Sequence, residues 1–329
     1  MERQHNLDNL KFIAAFFVIC IHLRFPQNEL TIKAIARVAV PIFLMISGYF
    51  YPILRRNGKQ WKYFKKIVCM GIGANFFYFL VNISISYISQ SYPSINFRDL
   101  LNFLIFNEYI PFTGNHLWYF NALIYTILFV LSCDKYLHKM YFLIPILLVS
   151  TYVISSLTVN LLFYRNFLFM ALPYFFLGYY IRDKEEKLKI LCENKKGTIR
   201  NVVLLLLVEV LLLCAEIIIY KKIGLPVYRD FYFMTTPMVM TLFVGALYVF
   251  PNKEVKYISL IGEKYSAYIY IYHIFVINIA NLFLHKFTDL DFYKLYYLNL
   301  IITLAFTIAF TNIYLKLKEY IYTVIHKCY

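Results

Sequence analysis

Lys11 and His22 are separated by ten residues of almost unbroken apolar sequence, Phe12-Ile13-Ala14-Ala15-Phe16-Phe17-Val18-Ile19-Cys20-Ile21. Eleven steps of about 100° return to nearly the same face of a helix, and at 1.5 Å per residue the two side chains stand roughly 16 Å apart along it. A cation and an imidazole on one face can line one path through an apolar medium. The imidazole takes up and returns a proton near neutral pH, which is the equipment for activating a hydroxyl. Ionisable groups inside a membrane mark function by default because burying them there is expensive. The competing role for His22 is to snorkel to an interface or bond a neighbouring helix, and for Lys11 to act as a positive anchor.

Three further stretches carry chemistry-bearing side chains. Arg37-Val38-Ala39-Val40-Pro41-Ile42-Phe43-Leu44-Met45-Ile46-Ser47-Gly48-Tyr49 opens with a cation suited to an anionic group or an acyl oxygen. Its proline, early in a helix, gives up an amide that would be unpaired there, and Ser47-Gly48 permits close helix approach. Asn115-His116-Leu117-Trp118-Tyr119-Phe120-Asn121 reads as an interfacial aromatic belt or as a sugar-binding platform. Tyr265-Ser266-Ala267-Tyr268-Ile269-Tyr270-Ile271-Tyr272-His273 places a second histidine inside an aromatic helix, as a further catalytic group or as an interhelical hydrogen-bonding one. Glu209 and Glu216, seven apart, share a helix face, as do Asn75 and Asn82. Buried carboxylates of this kind mark a pathway or a partnered charge.

The elements that must hold these residues are membrane helices. The chain has 329 residues, 61% of them hydrophobic and only 16% charged, with a mean hydropathy of +0.61, against about 25% charged in typical soluble chains. A soluble dehydrogenase, a nucleic-acid reader and a disordered chain are excluded. Roughly 20 apolar residues cross a bilayer core, and on that ruler about ten spans are expected, near 8–25, 38–54, 65–88, 116–133, 140–157, 166–182, 200–220, 231–250, 266–284 and 296–318. The segment Ile95 to Phe106 is too short to cross and is expected to lie at the surface. The fold class is therefore all-α, a polytopic bundle forming a single transmembrane domain over 1–329.

The net charge of +15 follows from membrane topology and calls for no nucleic-acid partner. With the N-terminus inside, 23 of the 33 Lys and Arg fall in internal segments, so both termini are expected in the cytoplasm. His22 then lies towards the outer third of the bilayer and Arg37 at the outer boundary. The first apolar run has a histidine near its end and no small-residue cleavage pattern, so a retained helix is expected rather than a signal peptide. Six scattered cysteines without a CxxC pair suggest neither a disulfide scaffold nor a zinc ribbon, and no two of the seven histidines sit at metal-ligand spacing.

Taken in order, these stretches resemble the acyltransferase family 3 membrane proteins, which include bacterial O-acetyltransferases of surface glycans. The resemblance covers essentially the whole chain. The family's opening pattern is carried by Leu7, Asp8, Leu10, Ala14 and His22, with Lys11 in place of the usual arginine. It continues through Arg37, Val40, Pro41, Phe43, Ser47, Gly48 and Tyr49, then His116 to Tyr119, Phe175 to Tyr180, and Ser266 to His273. The lysine keeps the charge but loses the bidentate fork of arginine.

The resemblance implies a multi-pass protein of the bacterial cytoplasmic membrane, surrounded by lipid, that takes acetyl from cytoplasmic acetyl-CoA and delivers it to a hydroxyl of an extracytoplasmic glycan. His22 would be the general base and Arg37 the oxyanion stabiliser, with Lys11 and Asp8 on the acyl-CoA path. Ser47, His116, Trp118, His273, Glu209 and Glu216 remain substrate-binding or structural candidates. No metal is implied. A separate extracytoplasmic transferase or polysaccharide-assembly protein is the further partner that this scheme admits. A transporter or export component for a polysaccharide precursor or a small amino acid, moving its substrate without chemistry, is the alternative class.

Overall fold

A computed structural model describes residues 3–91, 94–106, 113–193, 198–288 and 297–327. Among them there are helices and no strands. The α-helices are α1 (His5–His22), α2 (Glu29–Ala36), α3 (Ala39–Arg56), α4 (Gln60–Ser89), α5 (Phe97–Phe106), α6 (Trp118–Ser132) and α7 (Leu143–Leu157). They continue with α8 (Leu172–Asp183), α9 (Glu185–Glu193), α10 (Thr198–Lys222), α11 (Thr235–Val244), α12 (Lys256–Lys264), α13 (Ser266–Thr288) and α14 (Tyr297–Lys327).

Among the described residues, five helical runs are long and apolar enough to cross a membrane: Glu29–Arg56, α4, Ile199–Lys222, Ser266–Phe283 and Tyr297–Tyr320. A sixth is reached if Asn115–Ser132 and Asp134–Met140, bent by 103°, count as one span. The other segments expected to span fall in shorter or interrupted helices that do not reach that length and hydropathy, so about ten spans are not reproduced among the described residues. α1 fills its first two turns with His5, Asn6, Asp8, Asn9 and Lys11, and α7 holds only 15 residues. A π-helical turn precedes α8 at Phe167–Ala171, and another follows α11 at Gly245–Val249. Fifteen residues rise only about 22 Å, less than the hydrocarbon thickness of about 30 Å. α5 forms where a short surface helix was expected and buries none of its residues.

The chain divides into two compact units, Met1–Ala39 with Leu242–Tyr329, and Val40–Thr241. In the first, α1 packs against α2, α12, α13 and α14. Gly262 on α12 allows a close approach in that packing, because a Cβ there would lie 1.7 Å from the backbone oxygen of Asp8. Polar side chains seal the same seam: Ser259 Oγ donates to Asn9 Oδ1 at 2.7 Å, and the Asn6 amide donates to Ala246 O at 3.0 Å and Phe250 O at 2.9 Å. The latter pair satisfies carbonyls left over at the end of the π turn.

In the second unit α3 and α8 cross through reciprocal glycines. A Cβ at Gly48 would lie 1.9 Å from Phe175 O and one at Gly178 2.0 Å from Met45 O, so Ser47-Gly48 does permit the close approach its small residues suggest. Beside the crossing, buried Arg182 donates to Tyr49 Oη at 2.9 Å and pairs with Glu185 at 2.6 Å. α4 and α10 present long apolar faces outward, Ile72, Phe76 and Leu80 on one and Leu204, Val208 and Leu211 on the other, as lipid-facing helices must.

Candidate active site

The first unit brings together two histidines 251 residues apart in sequence. The rings of His22 and His273 lie 5.1 Å apart, centroid to centroid, at 48°. His22 is the last residue of α1, after which Leu23 turns to extended backbone, and it is half-buried. His273 is 0% exposed. One turn behind it on α13, the backbone oxygens of Ile269 and Tyr270 lie 2.9 and 2.8 Å from its Nδ1. A carbonyl oxygen only accepts, so Nδ1 carries the hydrogen and the neutral ring holds its lone pair at Nε2. The backbone therefore fixes both the tautomer and the orientation of the ring that backs His22.

At the other end of α1, Asp8 is enclosed by cations. Arg3 donates to Asp8 Oδ2 from Nε and Nη2, both at 3.0 Å, and Lys11 Nζ donates to Oδ1 at 2.9 Å. Arg3 reaches on to Glu263 at 2.6 Å, and its guanidinium is pushed above its ordinary value, first of all by the hydrogen bond to Asp8. Lys11 is thus an ion-paired lysine at the polar end of the helix whose far end carries His22. Arg37 is half-buried where α2 ends, and its backbone N–H bonds Lys33 O at 3.1 Å.

The remaining candidates belong to the second unit. Ser47 Oγ donates to Phe43 O at 3.0 Å and is also hydrogen-bonded to Tyr63 and Tyr119. His116 is buried edge-on against Tyr78, with ring centroids 4.8 Å apart. Trp118 is buried beneath the Arg165 guanidinium at 5.2 Å. Glu209 accepts from Thr241 Oγ1 at 2.7 Å, while its Oε2 has no hydrogen-bond partner among the described residues. Glu216 accepts the backbone N–H groups of Phe233 at 2.9 Å and Met234 at 3.4 Å.

Three arginines that spacing does not single out are central to the second unit: Arg182 beside Tyr49, Arg165 paired with Asp230 at 2.7 Å, and Arg229, only 4% exposed. Tyr49, Asp230 and Ser155, which bond Arg182, Arg165 and Arg229, lie 133, 65 and 74 residues away from them. A buried arginine at a helix end reads in sequence as a topology marker, and only the fold separates the two roles.

The described residues are all helical or connecting, with helices that present long apolar faces outward and a histidine pair inside one unit. Residues 4–316 match the acyltransferase domain family Acyl_transf_3, so the chain belongs to acyltransferase family 3 and is a multi-pass membrane acyltransferase. No curated protein and no solved structure matches it.

Proposed function

We propose that the protein is a bacterial plasma-membrane O-acetyltransferase that takes acetyl from acetyl-CoA on the cytoplasmic side and places it on a hydroxyl of an extracytoplasmic glycan. The observation that carries this reading is the half-buried His22 backed by the buried, tautomer-fixed His273.

His22 takes the proton of the acceptor hydroxyl as its oxygen attacks the thioester carbonyl. The new C–O bond forms, the C–S bond breaks, and the proton passes from His22 to the leaving thiolate, giving the ester and free CoA thiol. Arg37 stabilises the oxyanion of the tetrahedral intermediate. His273 holds the base in place, and the Arg3, Asp8 and Lys11 cluster marks the end of α1 at which the donor's anionic portion is admitted.

The test supplies labelled acetyl-CoA to the cytoplasmic face of membrane vesicles and follows label into glycan, with wild type, His22→Ala and His22→Gln at matched expression. Label in glycan with the wild type alone supports the reading. Normal transfer by folded His22→Gln removes the base assignment. Absence of acetyl-CoA consumption by all three, with a suitable acceptor present, moves the reading to another acyl donor or to a transporter without chemistry.

A further inference from the structure

α4 is 30 residues long, which at 1.5 Å per residue is about 45 Å. That matches a bilayer measured through both headgroup layers, about 40–45 Å, and exceeds the hydrocarbon core of about 30 Å. Its first turns therefore belong among lipid headgroups. Ile72, Phe76 and Leu80 mark the side of the helix that faces lipid, while Ile67, Gly71, Ala74 and Tyr78 are buried on the other side. Followed back in steps of three and four, the lipid-facing side runs through Cys69 to Lys66, Lys65 and Lys62, all of them exposed. Lys66 stands about 9 Å and Lys62 about 15 Å before Ile72 along the axis.

These lysines do nothing for the fold. Arg55 pairs with Asp134 at 2.8 Å, but the side chains of Arg56, Lys59, Lys62, Lys65 and Lys66 have no hydrogen-bond or ion-pair partner among the described residues. No Asp or Glu occurs between Glu29 and Asp99. The helix dipole disfavours cations in the first turns, so helix stability does not account for them either. Trp61 stands among them, 55% exposed, and meets Phe64 edge-on with ring centres 5.9 Å apart. An indole, apolar with one N–H donor, suits the boundary between headgroups and hydrocarbon.

A soluble nucleotide that delivers an acyl group must enter the bundle, and Lys62, Lys65 and Lys66 face away from it. A zwitterionic lipid brings its own cation and gains little from three more. We infer that this face of α4 binds an anionic phospholipid, its phosphate on Lys62, Lys65 and Lys66 beside Trp61 and its acyl chains along Ile72 and Phe76. The inference does not rest on the transfer reading.

The chain has two tryptophans, and Trp118 is buried, so the fluorescence lost in Trp61→Phe isolates Trp61. The test puts the full chain in phosphatidylcholine vesicles containing a minor fraction of phosphatidylglycerol or phosphatidylcholine brominated on the acyl carbons nearest the headgroup. Each lysine near an anionic headgroup is worth about fivefold in binding, so phosphatidylglycerol is expected to occupy the Trp61 site at least about fivefold in preference to phosphatidylcholine, and high salt should erase the preference. Replacing the three lysines together by Gln should bring it to parity, and replacing them by Arg should keep it. Equal quenching of wild-type Trp61 by the two lipids, or an undiminished preference in the Gln variant, overturns the site. Loss of the preference on adding acetyl-CoA assigns the cations to nucleotide phosphates and overturns the lipid assignment.

Discussion

Replacing Gly262 with alanine tests the contact that holds α12 on α1. The added Cβ would stand 1.7 Å from Asp8 O, 2.7 Å from Asp8 C and 3.1 Å from Phe12 N. All three are backbone atoms, so no side-chain rotation relieves the clash. Bringing the first contact to the 3.0 Å that real Cβ atoms keep requires a separation of about 1.3 Å. Two short polar contacts cross the same seam, Ser259 to Asn9 at 2.7 Å and Arg3 to Glu263 at 2.6 Å. A shift of that size takes both past the limit of a useful hydrogen bond.

Overpacking costs about 1–3 kcal/mol, and the Ser259 bond adds about 1 kcal/mol. The exposed Arg3 pair adds little, and the better helix propensity of alanine returns about 1 kcal/mol. The net expectation is a loss of about 1–3 kcal/mol. The assay is equilibrium unfolding in mixed micelles, alongside Gly73→Ala on the lipid-facing side of α4, where an added Cβ meets nothing within 4 Å. That control should gain up to about 1 kcal/mol from helix propensity alone. Gly262→Ala should also lower acyl transfer, because Asp8 and Lys11 move with the seam. Equal unfolding curves for the two alanine variants would refute the reasoning.

Substitutions at four other residues separate roles that the structure assigns differently. His273→Leu should reduce acyl transfer at least tenfold with KM little changed, and His273→Gln, whose amide can stand in for part of the imidazole, should recover some of it; equal activity in both would remove His273 from the positioning of His22. Arg182→Gln breaks a buried set with Tyr49 and Glu185 and should destabilise by about 3–5 kcal/mol, against about 1 kcal/mol for Tyr49→Phe, both read by denaturant titration. Glu209→Gln keeps the Thr241 contact and removes a carboxylate whose second oxygen has no partner among the described residues, so stability should hold or rise. Loss of transfer in that stable variant would place Glu209 in the reaction path instead.

What the sequence reveals depends on the range over which each signal acts. The helical class and the outward apolar faces of α4 and α10 follow from runs of apolar residues, a local property. Ser47-Gly48 and the Lys11 to His22 spacing are local too, and both can be read before any fold is known. The pairing of His22 with His273 is different in kind, since each ring is ambiguous alone and only helix packing brings them to 5.1 Å. Span length fails for another reason: hydropathy counts apolar residues but does not show where a helix stops. Nor does it show where one starts: Asn166 sets such a boundary, because its side chain accepts from the N–H groups of Leu168 and Phe169 and caps the start of the π turn there. Arg229 shows the same limit for a site. In sequence it is a loop cation near a Tyr-rich segment, whereas in the fold it braces two helices through Ser155, Ser156 and the Tyr220 ring. A buried arginine costs too much to be held by one helix, so its partners must come from several elements, and no pattern along a single element can disclose them.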